Sequence, residues 1–392
     1  MASFAKYREV LYERLRARDS AGLPIDPLEL EQAAADALDA TAAAHLFGGA
    51  GTADTIRANR EAFRRIRIVP RVLRDVSSID LSCRILGHDL PAPVLLAPIG
   101  GQALVQGDGE LASARAAAAA GLPVIASTRS SFTPEQIAEA AGTGKRWFQL
   151  YWPADDEILA SFVNRVERAG YSAIVVTVDC FTQGWRPLDM KFAGPLEVQG
   201  VGSQIFLSDP AFRAKLARPP EEDLAAAEAL YRRVRSQPAL SWEALQRLRE
   251  LTSLPIVVKG IQHPDDAREA VSRGVDAIVC SNHGGRQVDG AIASLDALPA
   301  IVDAVGSRVP VLFDSGIRSG SDVIKALALG AEAVLLGRPF LWGLALAGEA
   351  GVDHVIRCLL GDLELTLGLC GVANVADLGP HLLAISGAPE TR

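Results

Sequence analysis

The chain has 392 residues, of which 49% are hydrophobic and 22% charged, enough to bury a large core, and a barrel-type domain of roughly 250 residues would leave ample chain for embellishment. Its net charge of −8 excludes the basic stripe of a nucleic-acid surface, and no uncharged apolar run reaches the roughly 18 residues of a membrane helix. Cys83, Cys180, Cys280, Cys358 and Cys370 are odd in number and lack a Cys-x-x-Cys spacing, which excludes a zinc site or disulfide framework and fits a soluble protein of the reducing cytoplasm.

The first ninety residues hold two helical patterns, 27–46 and 52–64, expected to form an N-terminal helical cap (1–90) on the rest of the chain. From Ala92 onward, short apolar runs bounded by Pro or Gly alternate with amphipathic stretches of helical length, the mark of successive βα units. The strands are expected at 93–97, 123–127, 146–150, 173–178, 255–258, 277–280, 310–313 and 333–336, with helices such as 110–120 and 264–272 between them. Eight such units predict an α/β fold of the (β/α)8 TIM-barrel type over residues 91–380, with a C-terminal tail at 381–392. The rival, an open doubly wound sheet holding a dinucleotide, calls for a Gly-x-Gly-x-x-Gly turn, and none occurs. The spacing breaks once, after the fourth strand, where a long insertion over about residues 180–240 replaces a short connection and is expected to be a lid. Its charges, among them Arg213, Lys215, Arg218, Glu221, Glu222 and Asp223, argue against a membrane-inserting loop.

Function in a barrel sits at the C-terminal rim of the strands, and here the rim is polar. Pro98, Ser127, Gln149 with Tyr151, Thr177 with Asp179, Lys259, Ser281 with His283, Asp314 with Arg318, and Gly337 with Arg338 stand at the tips of the eight strands in turn. Any one of them has a plain alternative as a helix cap; the succession points to a site. The most informative stretch is Ser281-Asn282-His283-Gly284-Gly285-Arg286-Gln287, which puts a titratable imidazole and a fixed cation three positions apart at a strand tip. Histidine moves protons near neutral pH, and arginine captures a carboxylate through two parallel hydrogen bonds. Asp314-Ser315-Gly316-Ile317-Arg318 and Gly337-Arg338-Pro339 offer backbone N–H groups, two arginines and helix starts after strands seven and eight, where barrels hold phosphates. Gln149, Thr177 and Lys259 suit the polar edge of a heterocycle, so flavin mononucleotide (FMN) satisfies both halves. Lys259 is then expected beside ring atoms that gain negative charge on reduction.

With these residues assembled, the 281–287 stretch resembles the active-site signature of the FMN-dependent α-hydroxy acid oxidases and dehydrogenases. Matching motifs run in order along almost the whole chain: Ala97-Pro98-Ile99-Gly100, Ser127-Thr128, Phe148-Gln149-Leu150-Tyr151, Thr177-Val178-Asp179, Val258-Lys259-Gly260, and the two phosphate loops. Within the family, Gly184-Trp185-Arg186-Pro187, the 259–268 stretch, the 311–318 stretch and the long insertion are most similar to lactate 2-monooxygenase. The resemblance implies that His283 accepts the substrate's proton, supported by Asp179. It implies that Arg286 and Arg186 hold the substrate carboxylate, that Tyr151 bonds its hydroxyl oxygen, and that O2 takes the electrons. A homo-oligomer, tetramer or octamer, is also implied. Oxidative decarboxylation, a dehydrogenase using a quinone or carrier, and a catalytically idle flavin-binding protein are the alternatives it leaves. One position departs: aligning Gly48-Gly49-Ala50 with a family motif puts His45 where a carboxylate-binding tyrosine is usual. Imidazole still donates a hydrogen bond, but it is shorter and titrates; the plain alternative is a helix-ending residue that touches no ligand.

Overall fold

The computed structural model describes residues 3–17, 22–193 and 201–385. Among the described residues, twelve strands occur in chain order. β1 (Ile66–Ile68) precedes a hairpin of β2 (Cys83–Ile85) and β3 (His88–Leu90). The barrel strands are β4 (Val94–Leu96), β5 (Val124–Ser127), β6 (Arg146–Leu150), β7 (Ile174–Thr177), β8 (Ile256–Ile261), β9 (Ala277–Cys280), β10 (Val311–Phe313) and β11 (Ala333–Leu336). β12 (Leu383–Ile385) returns to pair antiparallel with β1. The eight central strands are parallel and closed, β11 lying against β4 with Leu335 opposite Leu95. This is the expected (β/α)8 barrel, and each expected strand lies within two or three residues of its place.

The sequence dictates closure through a double burial. In a parallel sheet covered by helices both faces are apolar, and β4, β5, β7, β9 and β11 are buried at every position. Alternate residues separate into two sets. Leu95, Ile125, Trp147, Val175, Val257, Val279 and Leu312 pack together inside the barrel, while their neighbours join the larger cluster against the helices. Ile85 and Leu90 of the β2–β3 hairpin belong to the interior set and close that core off from solvent, a role the sequence pattern did not reveal. Trp147 fills this interior at 1% exposure, so Trp147→Ala should cost about 3–5 kcal/mol.

The single helix expected over 27–46 is two, Pro27–Ala37 and Ala40–Phe47. Leu38 is extended, and the Asp39 carboxylate accepts from the backbone N–H groups of Thr41 (2.9 Å) and Ala42 (2.8 Å); a capping aspartate starts a helix rather than continuing one. The next helix is Asp54–Arg65. Its first N–H groups are satisfied from the barrel, since Asp289 accepts from Thr52 N (2.6 Å) and Asp54 N (2.7 Å). The insertion is built rather than loose: short helices at Gln204–Leu207 and Pro210–Arg213 precede Leu224–Val234, and Phe206, Phe212 and Tyr231 pack edge to face beneath them. Residues 194–200 of the expected lid and 386–392 of the expected tail lie outside the described residues, whereas 383–385 form β12. Among the described residues no helix is long and apolar enough to cross a membrane.

Candidate active site

The loops after the barrel strands enclose a cavity of about 830 Å3. His45, Pro98, Ile99, Gly100, Ser127, Tyr151, Arg186, Lys259, His283, Arg286, Asp314, Ser315, Gly316, Arg318, Gly337 and Arg338 line it. The remaining expected residues, Gln149, Thr177, Asp179 and Ser281, sit behind that wall at the barrel mouth; three of them bond directly to a lining residue, Gln149 to Ser127, Asp179 to His283 and Ser281 to Lys259.

His283 stands in a one-turn helix, His283–Gly285, at φ +58°. The Asn282 side chain fixes the turn, accepting from Gly285 N (3.2 Å) and bonding Asn59 of the cap. Gly285 is required there: at φ +75° an added Cβ would lie 2.8 Å from the backbone of Ile56. Nδ1 of His283 donates to Oδ1 of Asp179 (2.9 Å), so Nε2 carries the lone pair, 3.4 Å from the Tyr151 hydroxyl. Burial is the largest influence on His283 and lowers its pKa; Asp179 raises it, Lys259 and Arg186 lower it, and the net shift is downward. The imidazole is therefore a free base at neutral pH. Burial alone would raise the Asp179 carboxyl, but His283 and Lys259 outweigh it and hold the group below its ordinary range. Burial pushes Tyr151 well above its usual value, keeping a hydroxyl donor.

Lys259 is buried between Asp314 (3.0 Å) and the Ser281 hydroxyl, to which it donates (3.0 Å). Burial pulls its pKa down, yet Asp314 and Asp179 leave it above the ordinary lysine value. Arg286 donates to Gly48 O (2.7 Å) and Asp189 (3.0 Å), and Arg186 donates to Arg286 O (2.7 Å) and Gln287 Oε1 (2.6 Å) with Asp189 at 3.7 Å. Asp189 thus tethers both arginines, and sequence reasoning missed it; the signal was its position three residues after Arg186, one helical turn away. Gln287 was quoted only within the signature, and its structural task is to brace Arg186 and the backbone of Asp179, to whose carbonyl it donates (2.6 Å).

At the far end, Arg338 donates to the carbonyls of Leu46, Gly284 and Gly48 (3.0, 2.9 and 3.1 Å), and Arg318 lies 4.7 Å over the Trp342 ring. Burial, then the charge of Arg318, brings Arg338 down to about 9; burial first and Arg60 second among the lowering influences bring Arg318 to about 10. Two guanidiniums held this close against their own pKa fit a dianionic phosphate. Across the cavity floor, Gln149 Nε2 and Thr177 Oγ1 are buried with no partner among the described residues, while Gln149 Oε1 accepts from Ser127 (2.9 Å). Buried donors without partners are uncommon in native proteins, and these two suit the polar edge of a flavin ring. His45 lies in the last turn of the Ala40–Phe47 helix and faces the cavity, with Nε2 2.9 Å from Gly100 O.

Two arginines that fit a phosphate, buried polar atoms that suit a ring edge, and two further arginines beside one histidine fit a cofactor-dependent barrel enzyme acting on a small acid. The comparisons agree. Residues 34–385 match the model of the FMN-dependent dehydrogenase family. An L-lactate oxidase of Lysinibacillus sphaericus is 44% identical over 373 residues, 95% of this chain and 96% of that protein. An FMN-dependent alpha-hydroxy acid dehydrogenase of Penicillium citrinum is 43% identical over 380 residues, 96% and 94% of the two chains. Among solved structures, mandelate oxidase superposes with a TM-score of 0.81 at 39% identity, covering 92% of this chain and 98% of the other. The chain belongs to the FMN-dependent dehydrogenase family, and it is an FMN-dependent α-hydroxy acid oxidoreductase with FMN as its cofactor.

Proposed function

We propose that this enzyme oxidises an L-2-hydroxy acid to the 2-oxo acid with O2 as the electron acceptor, releasing hydrogen peroxide. The observation that carries the reading is the orientation of His283, whose Nε2 lone pair faces a cavity that Tyr151, Arg186 and Arg286 also enter. In this reading the two arginines hold the substrate carboxylate and Tyr151 donates to its hydroxyl oxygen. His283 takes the hydroxyl proton, and Asp179 stabilises the imidazolium that results. Lys259 keeps a buried positive charge beside the ring site. Bound FMN supplies the two-electron acceptor that the oxidation needs.

The finer reading, similar to lactate 2-monooxygenase, is that product stays under the insertion long enough for 2-oxo acid and peroxide to give the shortened acid, CO2 and water. A packed insertion rooted on Arg186 and Gln287 supports retention. Peroxide and CO2 counted per turnover test both statements: stoichiometric peroxide without CO2 leaves a plain oxidase, and slow reoxidation of the reduced enzyme in air would move it to the quinone- or carrier-linked dehydrogenases. Failure of every 2-hydroxy acid to bleach the flavin anaerobically would leave an idle flavin-binding protein. We further place the enzyme in the cytoplasm, where its five free cysteines stay reduced, as a homo-oligomer; exposed Val72, Leu73 and Leu369 offer apolar surface for subunit contact.

A further inference from the structure

We propose that Ser315 is a positioning residue for His283: its hydroxyl joins the turn that carries the base to the first of the two loops expected to hold the cofactor phosphate. The inference rests on the reading of His283 as the base and deepens it. The sequence offers Ser315 as part of a phosphate loop, yet a serine has one hydroxyl proton, and this one goes to Asp314 Oδ1 (2.8 Å). The acceptor side of the same oxygen takes the backbone N–H of Gly284 (3.0 Å) and, at longer range, that of Asn282 (3.4 Å). One hydroxyl thus holds both residues that flank His283.

Gly284 is gripped from its other side as well, because Arg338 of the second phosphate loop donates to its carbonyl (2.9 Å). The bonds also close a ring. Asp314 pairs with Lys259 (3.0 Å), Lys259 donates to the Ser281 hydroxyl (3.0 Å), and the backbone N–H of His283 donates to that same oxygen (3.1 Å). From His283 the chain leads to Gly284 and so back to Ser315. The base and the buried cation of the site are therefore set relative to each other through one hydroxyl. The backbone gives the second, independent sign. Ser315 adopts φ +83°, a conformation that suits glycine and costs any other residue. Strain of this kind persists only where the surroundings enforce it, and it collects at functional sites. The bonds to Gly284 and Asp314 are what a glycine there would not supply. His283 shares the trait at φ +58°, so the turn that carries the base depends on bonds from outside it.

Ser315→Gly removes the hydroxyl and relieves the backbone, whereas Ser315→Ala removes the hydroxyl alone. Both apoproteins should bind FMN about as tightly as wild type. In the FMN-saturated variants, anaerobic flavin reduction at saturating L-lactate or another L-2-hydroxy acid should slow by roughly ten- to a hundredfold, with the substrate Kd nearly unchanged. Hydrogen exchange of the 282–285 amides should rise in both variants while the other rim loops keep their protection. S315A should melt below S315G, which shares the lost bonds but not the strained φ. Wild-type reduction and wild-type exchange in S315G overturn the joint and leave the oxidation standing. A fall in FMN affinity with full reduction rate at saturating FMN also overturns it, because a phosphate ligand alone predicts that. Slow reduction in S315A with normal reduction in S315G overturns it too, since strain rather than the hydroxyl would then be at work. Raised exchange at 282–285 in an enzyme that no 2-hydroxy acid reduces, wild type included, upholds the joint and overturns the oxidation instead.

Discussion

Nδ1 of His283 and Oδ1 of Asp179 are 2.9 Å apart, and Gly260 leaves room for the Asp179 side chain, since an added Cβ there would meet Asp179 Cγ at 2.6 Å with φ at +113°. The aspartate accepts from Nδ1 and so fixes which histidine nitrogen faces the cavity. In the proposed function, that relationship ties proton transfer to a backbone position on β8.

Asp179→Asn should keep the yellow cofactor and lower the anaerobic rate of flavin reduction by roughly 10²–10⁴-fold, since the imidazolium loses its counter-charge and its tautomer is no longer enforced. The pH profile supplies the sign. Because burial lowers the His283 pKa, kcat/KM in the wild type should rise along a limb lying below the ordinary imidazole value and be flat above it. Asp179 raises that pKa, so removing its charge should move the limb to lower pH. Stopped-flow reduction across the acid range reads both; a limb that stays in place or moves upward refutes the assignment.

Lys259→Met should lose cofactor before it loses fold. The substitution leaves Asp314 buried beside a methyl group and removes a positive charge that helps hold the Asp179 carboxyl low. Removing one partner of a buried pair costs about 3–5 kcal/mol. The purified variant should hold less than about half its flavin by absorbance, and denaturant unfolding with excess FMN should show the loss of stability. Full occupancy with unchanged stability contradicts the placement.

How much of this was legible in the sequence depends on range. The barrel strands could be read because each is an apolar run bounded by Pro or Gly, and the rim could be read with them because the polar residues fall at the C-terminal ends of those runs or within a few residues of them. What escaped was held across long chain separations. Asp289 capping the helix at Asp54, Asn59 bonding Asn282, and the β2–β3 hairpin plugging the barrel join elements whose local patterns say nothing of each other. Asp189 escaped because a carboxylate in a charged insertion reads as solvated until Arg286, 97 positions away, is seen on it. The split at Leu38 was visible in principle, since Asp39 is a capping residue, but the alanines around it sustain helical periodicity on both sides.

Arg318→Lys should separate charge from geometry at the phosphate end. Lysine preserves the cation but not the planar fork or the stacking on Trp342, 4.7 Å away. FMN affinity of the apoprotein should fall by about tenfold, measured by fluorescence quenching, while flavin reduction in the saturated enzyme stays close to wild type. A loss of reduction rate at saturating FMN would place Arg318 in the chemistry instead.

His45→Gln should make the fold more tolerant of acid. Burial foremost, and Arg286 after it, drop the His45 pKa from 6.5 to about 4, while Gly100 O, which accepts from Nε2, pulls the other way. With the folded value below the unfolded one, the unfolded chain takes up the proton first, so stability is complete above about pH 6.5 and drains away as pH falls toward about 4. Glutamine can keep a hydrogen bond to Gly100 O and cannot titrate. Between about pH 7.5 and pH 5, with saturating FMN, the wild-type Tm should therefore fall by roughly 2–4 °C more than that of the variant. Equal falls would mean that His45 is already charged at the cavity wall, and with it a positive group beside Arg286 where a neutral donor is expected.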